Sequence, residues 1–235
     1  MPDITKLIQK RKSLRTPFDP EHPVAKQDLI KILEAARWSP TAHNMQNFEI
    51  IVVDDKKILK AIGNIKRPIS ETFIRENYQQ LSFSEGELLT KKTGLLGTMF
   101  PLSWRNPDFR FDKIVEKETA ARQRSMPESP VLLVVVYNPH RRAPASEGDF
   151  LGIISLGCAM ENMWLVAASI GVSMHIVSSL SSEPEVKKIL NIPDDLLIAF
   201  SCRLGYPVTK PAKYLRVRRV VQDFAHHNRY GDKMA

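Results

Sequence analysis

The chain has 235 residues, 43% of them hydrophobic and 26% charged, with a formal net charge of +8. That length and balance fit one large globular domain or two small ones, able to bury a core without a disulfide or a structural metal. The two cysteines, Cys158 and Cys202, sit in apolar runs with no C-x-x-C pair, which excludes a disulfide framework or a cysteine metal cluster and suits a reducing compartment.

The opening Met1-Pro2-Asp3-Ile4 lacks the basic start and apolar run of a signal peptide. No run is expected to reach the roughly 20 apolar residues that span a bilayer, because Glu161 and Asn162 interrupt the candidate near 150–170. The expected location is the cytoplasm, with no membrane partner. The positive charge calls for an anionic partner without naming one: nucleic acid, a nucleotide cofactor and an acidic metabolite all stay open at this level.

In chain order, Ile4, Leu7 and Ile8 have helical spacing over 4–12, and Leu29, Ile32, Leu33 and Ala36 repeat it over 28–38. Phe48 to Val53 reads as a buried strand ending at Asp54-Asp55, with a short helix from Lys56. Residues 65–129 have no clear period, and Gly94-Leu95-Leu96-Gly97 predicts a turn within them. A long excursion between strands is often a lid or binding segment; mere padding is the alternative. Val131 to Tyr137 is a β-branched strand bounded by Pro130 and Asn138-Pro139. From Asp149 to Ile170 the chain is apolar on nearly every face, which predicts a buried helix ended by Gly171. Ser173 to Leu180 predicts a strand, Pro184 to Leu190 a helix and Leu196 to Leu204 a last strand, before a basic, irregular tail. This order predicts an α+β or mixed α/β fold around one sheet. No G-x-G-x-x-G follows a strand, which argues against a Rossmann dinucleotide site.

Four segments are candidates for chemistry. In Arg11-Lys12-Ser13-Leu14-Arg15, an extended path turns Arg11, Ser13 and Arg15 to one side, and Pro17 favours that path by disfavouring helix at Thr16. Two guanidinium forks and a hydroxyl suit a phosphate or a polarised carbonyl; a solvated basic helix end is the alternative. Arg216 and Arg218 alternate with apolar residues in Leu215 to Val221, a second basic comb or an ordinary basic tail. Both combs converging on one dianion would make a phosphate site. Ser39-Pro40-Thr41-Ala42-His43-Asn44-Met45-Gln46 offers backbone and amide hydrogen bonds to a planar polar ring, or is simply a helix-to-strand connection. Val177-Ser178-Ser179 ends a strand with small residues whose N–H groups a ligand can approach. His43 has no nucleophile or carboxylate placed beside it, and Glu161 and Asn162 need partners inside their helix. With no Ser-His-Asp set, HExxH or Walker loop, an organic cofactor is the better carrier of a reaction.

Together these segments resemble the FMN-dependent nitroreductase family. The resemblance rests on Arg11-Lys12-Ser13-Leu14-Arg15-x-x-Phe18, on Ser39 to Phe48, on Glu161-Asn162 with Ala167-Ala168-Ser169-Ile170-Gly171, and on Leu204-Gly205-Tyr206-Pro207 with Arg218-Arg219. It covers residues 4–63 and 131–230. It implies an α+β fold with a central, mostly antiparallel sheet flanked by helices and a long buried central helix. It also implies a single domain with an insert at about 65–129, and an intertwined homodimer holding FMN at the subunit interface. By the resemblance, Arg11 and Ser13, with Lys12 beside them, hold the FMN phosphate and ribityl chain, and Arg216 and Arg218 complete the phosphate site. Arg15 faces the pyrimidine edge. Pro40, Thr41, Ala42 and Asn44 reach the flavin from the other subunit. Val177, Ser178 and Ser179 lie near N5 and O4, and Ser155 is a further contact. No catalytic side chain and no metal ligand is implied.

The implied activity is ping-pong hydride transfer from NADPH or NADH to a nitroaromatic, quinone or related small-molecule acceptor. Dehalogenation, enone reduction and flavin fragmentation occur on the same fold, and a non-catalytic flavin carrier is a further alternative. Asn47, Phe48, Glu161 and Ser178-Ser179 depart from the family pattern, which bears on substrate preference. A basic nucleic-acid-binding protein is the remote alternative; no zinc finger, aromatic RNA-binding signature or recognition helix supports it.

Overall fold

The computed structural model describes residues 3–65, 70–97, 111–144, 148–177, 184–210 and 215–234. In chain order the elements are α1 (Ile4–Lys10), α2 (Lys26–Arg37), a 3-10 turn (Ala42–Asn44), β1 (Phe48–Val53), α3 (Lys56–Asn64), α4 (Glu71–Leu81), β2 (Ser82–Phe83), α5 (Glu85–Lys91), β3 (Leu95–Leu96), α6 (Phe111–Ser125), β4 (Val131–Tyr137), α7 (Phe150–Ser169), β5 (Ser173–Val177), α8 (Pro184–Leu190), β6 (Leu197–Gly205) and α9 (Val221–Phe224). Residues 1–65 and 122–211 form one compact unit, and residues 66–121 and 212–235 a second.

The first unit is built on a sheet of order β1-β4-β6-β5, antiparallel at every pairing. β4 is central because Val131 to Val136 is apolar on both faces and all six residues are buried. Period-two alternation sorts the strands between two layers. Leu133, Val135, Phe200, Cys202 and Leu204 pack with Leu29, Ile32 and Ala36 of α2 and Leu156, Ala159, Met163 and Ala167 of α7. Leu132, Val134, Val136 and Ile198 pack instead with Leu59 and Ile62 of α3 and Val186 of α8. This is the α+β arrangement expected from the sequence.

The central helix α7 has two different faces. Leu156, Ala159, Met163, Trp164 and Ala167 are buried, whereas Phe150, Leu151, Ile153 and Ile154 are exposed in the single chain, Phe150 to 66%. The expectation that no run is long and apolar enough to cross a membrane is overturned: α7 meets both conditions. Glu161 and Asn162 do not interrupt it because both find polar partners beside the helix. A core helix passes the same test, and α7 packs its buried face against α2 and the sheet. It ends as predicted at Gly171, whose φ is +81°; Val172 N–H donates to Ala167 O at 2.9 Å and Gly171 N–H to Ala168 O at 3.4 Å, closing off the last carbonyls.

The second unit holds the segment that resisted reading. Ile74 of α4 packs with Ile114 and Val115 of α6. β2 and β3 pair in parallel, so Leu95-Leu96 is a short strand rather than the expected turn. Gly94 enters it at φ +88°, and a Cβ there would run into the Phe83 ring. Lys92 ties this segment to the C-terminal tail through an ion pair with Asp223 at 3.3 Å.

Candidate functional site

The site begins where α1 stops. Asp3 caps that helix, accepting from Thr5 N–H at 3.0 Å, and Arg11 leaves helical geometry at φ −54°, ψ 138°. From there to Arg15 the chain is non-helical, as expected ahead of Pro17. Leu14 turns into the core, and its N–H donates to Met174 O of β5 at 3.4 Å. Phe18 is fully buried and bridges to Pro207. The segment therefore runs along the outer edge of β5, held by Leu14 and Phe18, while Arg11, Lys12, Ser13 and Arg15 keep solvent-accessible side chains.

Arg11 is gripped from two sides. Its Nε lies 3.0 Å from Glu161 Oε1, and its guanidinium carbon lies 4.2 Å from the centre of the Trp164 ring. The Nε is buried and not aligned for a hydrogen bond, so the contact with Glu161 is a charge pair. Both partners come from consecutive turns of α7, at i and i+3.

Beneath this edge lies a second polar cluster that sequence reasoning missed. Arg203 of β6, 3% exposed, donates to Ser125 O at 2.9 Å and to Ser129 Oγ at 3.4 Å. Its Nη2 lies 2.7 Å from His175 Nδ1. Burial, then the positive charges of Arg203 and Arg15, push His175 down to about 3, so it is neutral at ordinary pH. Burial lowers Arg203 to about 10, partly offset by Glu128. The signal was present: Ser201 and Arg203 alternate with Phe200, Cys202 and Leu204 in an otherwise apolar strand, which marks one polar face. Ser201 Oγ is buried without a hydrogen-bond partner; its residue pairs with Val177 at the end of β5.

The loop after α2 is the third component. Ser39 Oγ donates to Ala35 O at 3.0 Å and accepts from Asn162 Nδ2 at 2.9 Å. Ser155 Oγ accepts from Ala42 N–H at 3.1 Å and donates to Leu151 O at 2.8 Å, so it holds the loop to α7. Beyond these anchors His43, Asn44 and Gln46 all adopt left-handed φ, at 49°, 54° and 43°. Such strain in non-glycine residues clusters at functional sites. Pro40 and Asn44 are exposed, and Thr41 and Ala42 half-buried; Asn44 Oδ1 accepts from Gln46 Nε2 at 3.0 Å.

Of the remaining expected residues, Val177 closes β5, whereas Ser178 and Ser179 lie outside the described residues. Arg216 and Arg218 belong to the second unit, exposed on the non-helical stretch 215–220 that alternates with half-buried Leu215 and Val217. Among the described residues no group of three His, Cys, Asp or Glu side chains could hold a metal ion. Burial pushes the Cys202 thiol up to about 12, so it is not a nucleophile.

The fold is thus a layered α+β one, with Arg11 and Arg15 strung along a sheet edge and a strained loop held on its central helix. Residues 8–206 match the Nitroreductase family, and the chain belongs to that family of oxidoreductases. The chain is 25% identical over 223 residues to an iodotyrosine deiodinase of Thermotoga neapolitana, covering 92% of this chain and 95% of that protein. It is 23% identical over 225 residues to an NADPH-dependent oxidoreductase of Staphylococcus aureus, covering 95% and 72%. Its fold matches that of a nitroreductase family protein from Clostridium novyi NT, with a TM-score of 0.59 at 21% identity, covering 98% and 96%. NfrA1 of B. megaterium gives a TM-score of 0.61 at 17% identity, covering 97% and 74%.

Proposed function

We propose that this chain is a cytoplasmic, homodimeric FMN-dependent oxidoreductase that takes hydride from NADPH or NADH and reduces nitroaromatic, quinone or related small acceptors. The observation that carries the reading is the arginine-bearing segment 11–15 laid along the edge of β5. Its donor set suits the group: Arg11, Lys12 and Ser13 offer charged and hydroxyl donors to a phosphate and a ribityl chain, and Arg216 and Arg218 would complete the phosphate site. Val177, Ser178 and Ser179 would line the reactive edge of the ring. Bound there, FMN supplies the redox chemistry, with nicotinamide donor and acceptor using one place in turn.

The chain's own residues bind and polarise. Arg15, whose charge already reaches His175, would stabilise the negative charge that reduction brings to the pyrimidine edge. His175 is held neutral, so it is not a cationic acid near pH 7. The exposed apolar face of α7, Phe150 to Ile154, supports burial by a second copy, which brings Pro40, Thr41, Ala42 and Asn44 to the partner's flavin. Ser155 acts through this loop by holding Ala42. The test is a visible spectrum of the purified dimer: yellow protein whose colour bleaches on anaerobic NADPH or NADH. Protein that stays colourless after incubation with FMN overturns the reading.

Similarity to the deiodinase across nearly the whole of both chains favours a second reading, reductive dehalogenation on the same cofactor. Iodide release from iodotyrosine, without consumption of a nitroaromatic under the same reductant, would select it.

A further inference from the structure

Glu161 is an anion standing beside the arginine assigned to an anion. Its Oε1 lies 3.0 Å from Arg11 Nε, and the two side chains are 38% and 22% exposed. The Nε itself is buried, but both side chains keep part of their surface at the solvent edge. Trp164 also supports the guanidinium, across its face at 4.2 Å. At Nε the contact is an ion pair rather than an aligned hydrogen bond, and through it Glu161 sets a carboxylate against the guanidinium.

We propose that Glu161 is a specificity-determining residue that weakens phosphate recognition: it is the resident counter-anion of Arg11, competes with a flavin phosphate for the same guanidinium, and so keeps FMN exchangeable. This rests on the reading of Arg11 as a phosphate ligand. A phosphate dianion reaching Arg11 meets the like charge of Glu161 or must displace it, and either route costs affinity, by a few-fold in a partly exposed site. A flavin without phosphate meets no such opposition.

The experiment titrates apoprotein with FMN and with riboflavin, following quenching of flavin fluorescence. Wild type is expected to bind FMN at least about tenfold more tightly than riboflavin, on the scale of a charged hydrogen bond. Glu161→Gln removes the charge and keeps an acceptor of the same length; it is expected to bind FMN about three- to tenfold more tightly, on the scale of a partly exposed ion pair, with riboflavin unchanged. Glu161→Asp keeps the charge and the wild-type ratio. Glu161→Met, uncharged and of similar length, carries the same expectation as Gln and serves if the Gln variant does not fold. An FMN-to-riboflavin ratio unchanged or narrowed in the uncharged variants overturns the role of Glu161. Equal binding of FMN and riboflavin by the wild type would instead remove the phosphate reading itself, before any variant is made.

Discussion

Two arginines flank β5 and live by different rules. Arg203 is buried beneath the strand and donates to neutral partners, Ser125 O, Ser129 Oγ and His175 Nδ1. Arg11 lies half-buried at the outer edge and is paired with a carboxylate. A guanidinium locked to neutral acceptors in the interior is a structural tie, since losing it strands every acceptor at once. One that is partly exposed at an edge and paired with a carboxylate can change partners, which is what a binding group requires. The contrast says that charge alone does not mark a site; the nature and exposure of the partner do.

The contrast is sharpest at Arg203. Arg203→Met is expected to lower the free energy of unfolding by about 3 kcal/mol, through unsatisfied acceptors and imperfect packing; urea denaturation measures it, and a loss under 1 kcal/mol would erase the distinction. Arg11→Ala should do the reverse, weakening FMN binding by about 2 kcal/mol, the scale of a charged hydrogen bond. Its stability cost should stay below about 1 kcal/mol, and flavin titration beside urea melts separates the two effects.

The interior pair also has a pH signature. His175 is depressed to about 3, against about 6.5 in an unfolded chain. The unfolded chain therefore binds the extra proton between those values, and the fold loses stability as pH falls through that window, by about 1.4 kcal/mol per unit. His175→Asn should flatten this component of the melting temperature between pH 6.5 and 4.5; parallel profiles for the two proteins would count against it. The smallest effect belongs to the loop anchor. Asn162→Ala removes the donor to Ser39 Oγ and should cost about 1 kcal/mol, a fall of about 2–4 °C in a chain of this size.

Much of this was legible because the first unit obeys local rules. The unbroken apolar run Val131 to Val136, rich in valine and bounded by Pro130 and Asn138-Pro139, reads as an interior strand, and Gly171 marks the end of α7 as its positive φ requires. Segment 11–15 was readable because Pro17 disfavours helix at Thr16 and so favours an extended approach to it. Arg203 escaped notice because its partners, at positions 125, 129 and 175, are distant in sequence and neutral, so no charge pattern advertises them. The role of Ser155 turns on the loop that α7 holds, a tertiary fact with no local signature. Two glycines flank Leu95-Leu96 and so suggest a turn, whereas Gly94 is required there by its positive φ and by the Phe83 ring packed against it. The ion pair of Lys92 with Asp223 likewise joins the insert to the tail across a separation that no period reveals.

One consequence follows from where segment 11–15 lies. Among the described strands β5 pairs only with β6, so its outer ladder would stand open to any extended chain. Leu14 N–H, donating to Met174 O, caps part of that ladder, and the arginines beside it repel another positively charged copy. Open edges template sheet-to-sheet aggregation, and charged cover is a common defence. The residues assigned to the cofactor thus double as guards of the fold: trimming them away should leave a protein that clumps, and added flavin should not rescue it.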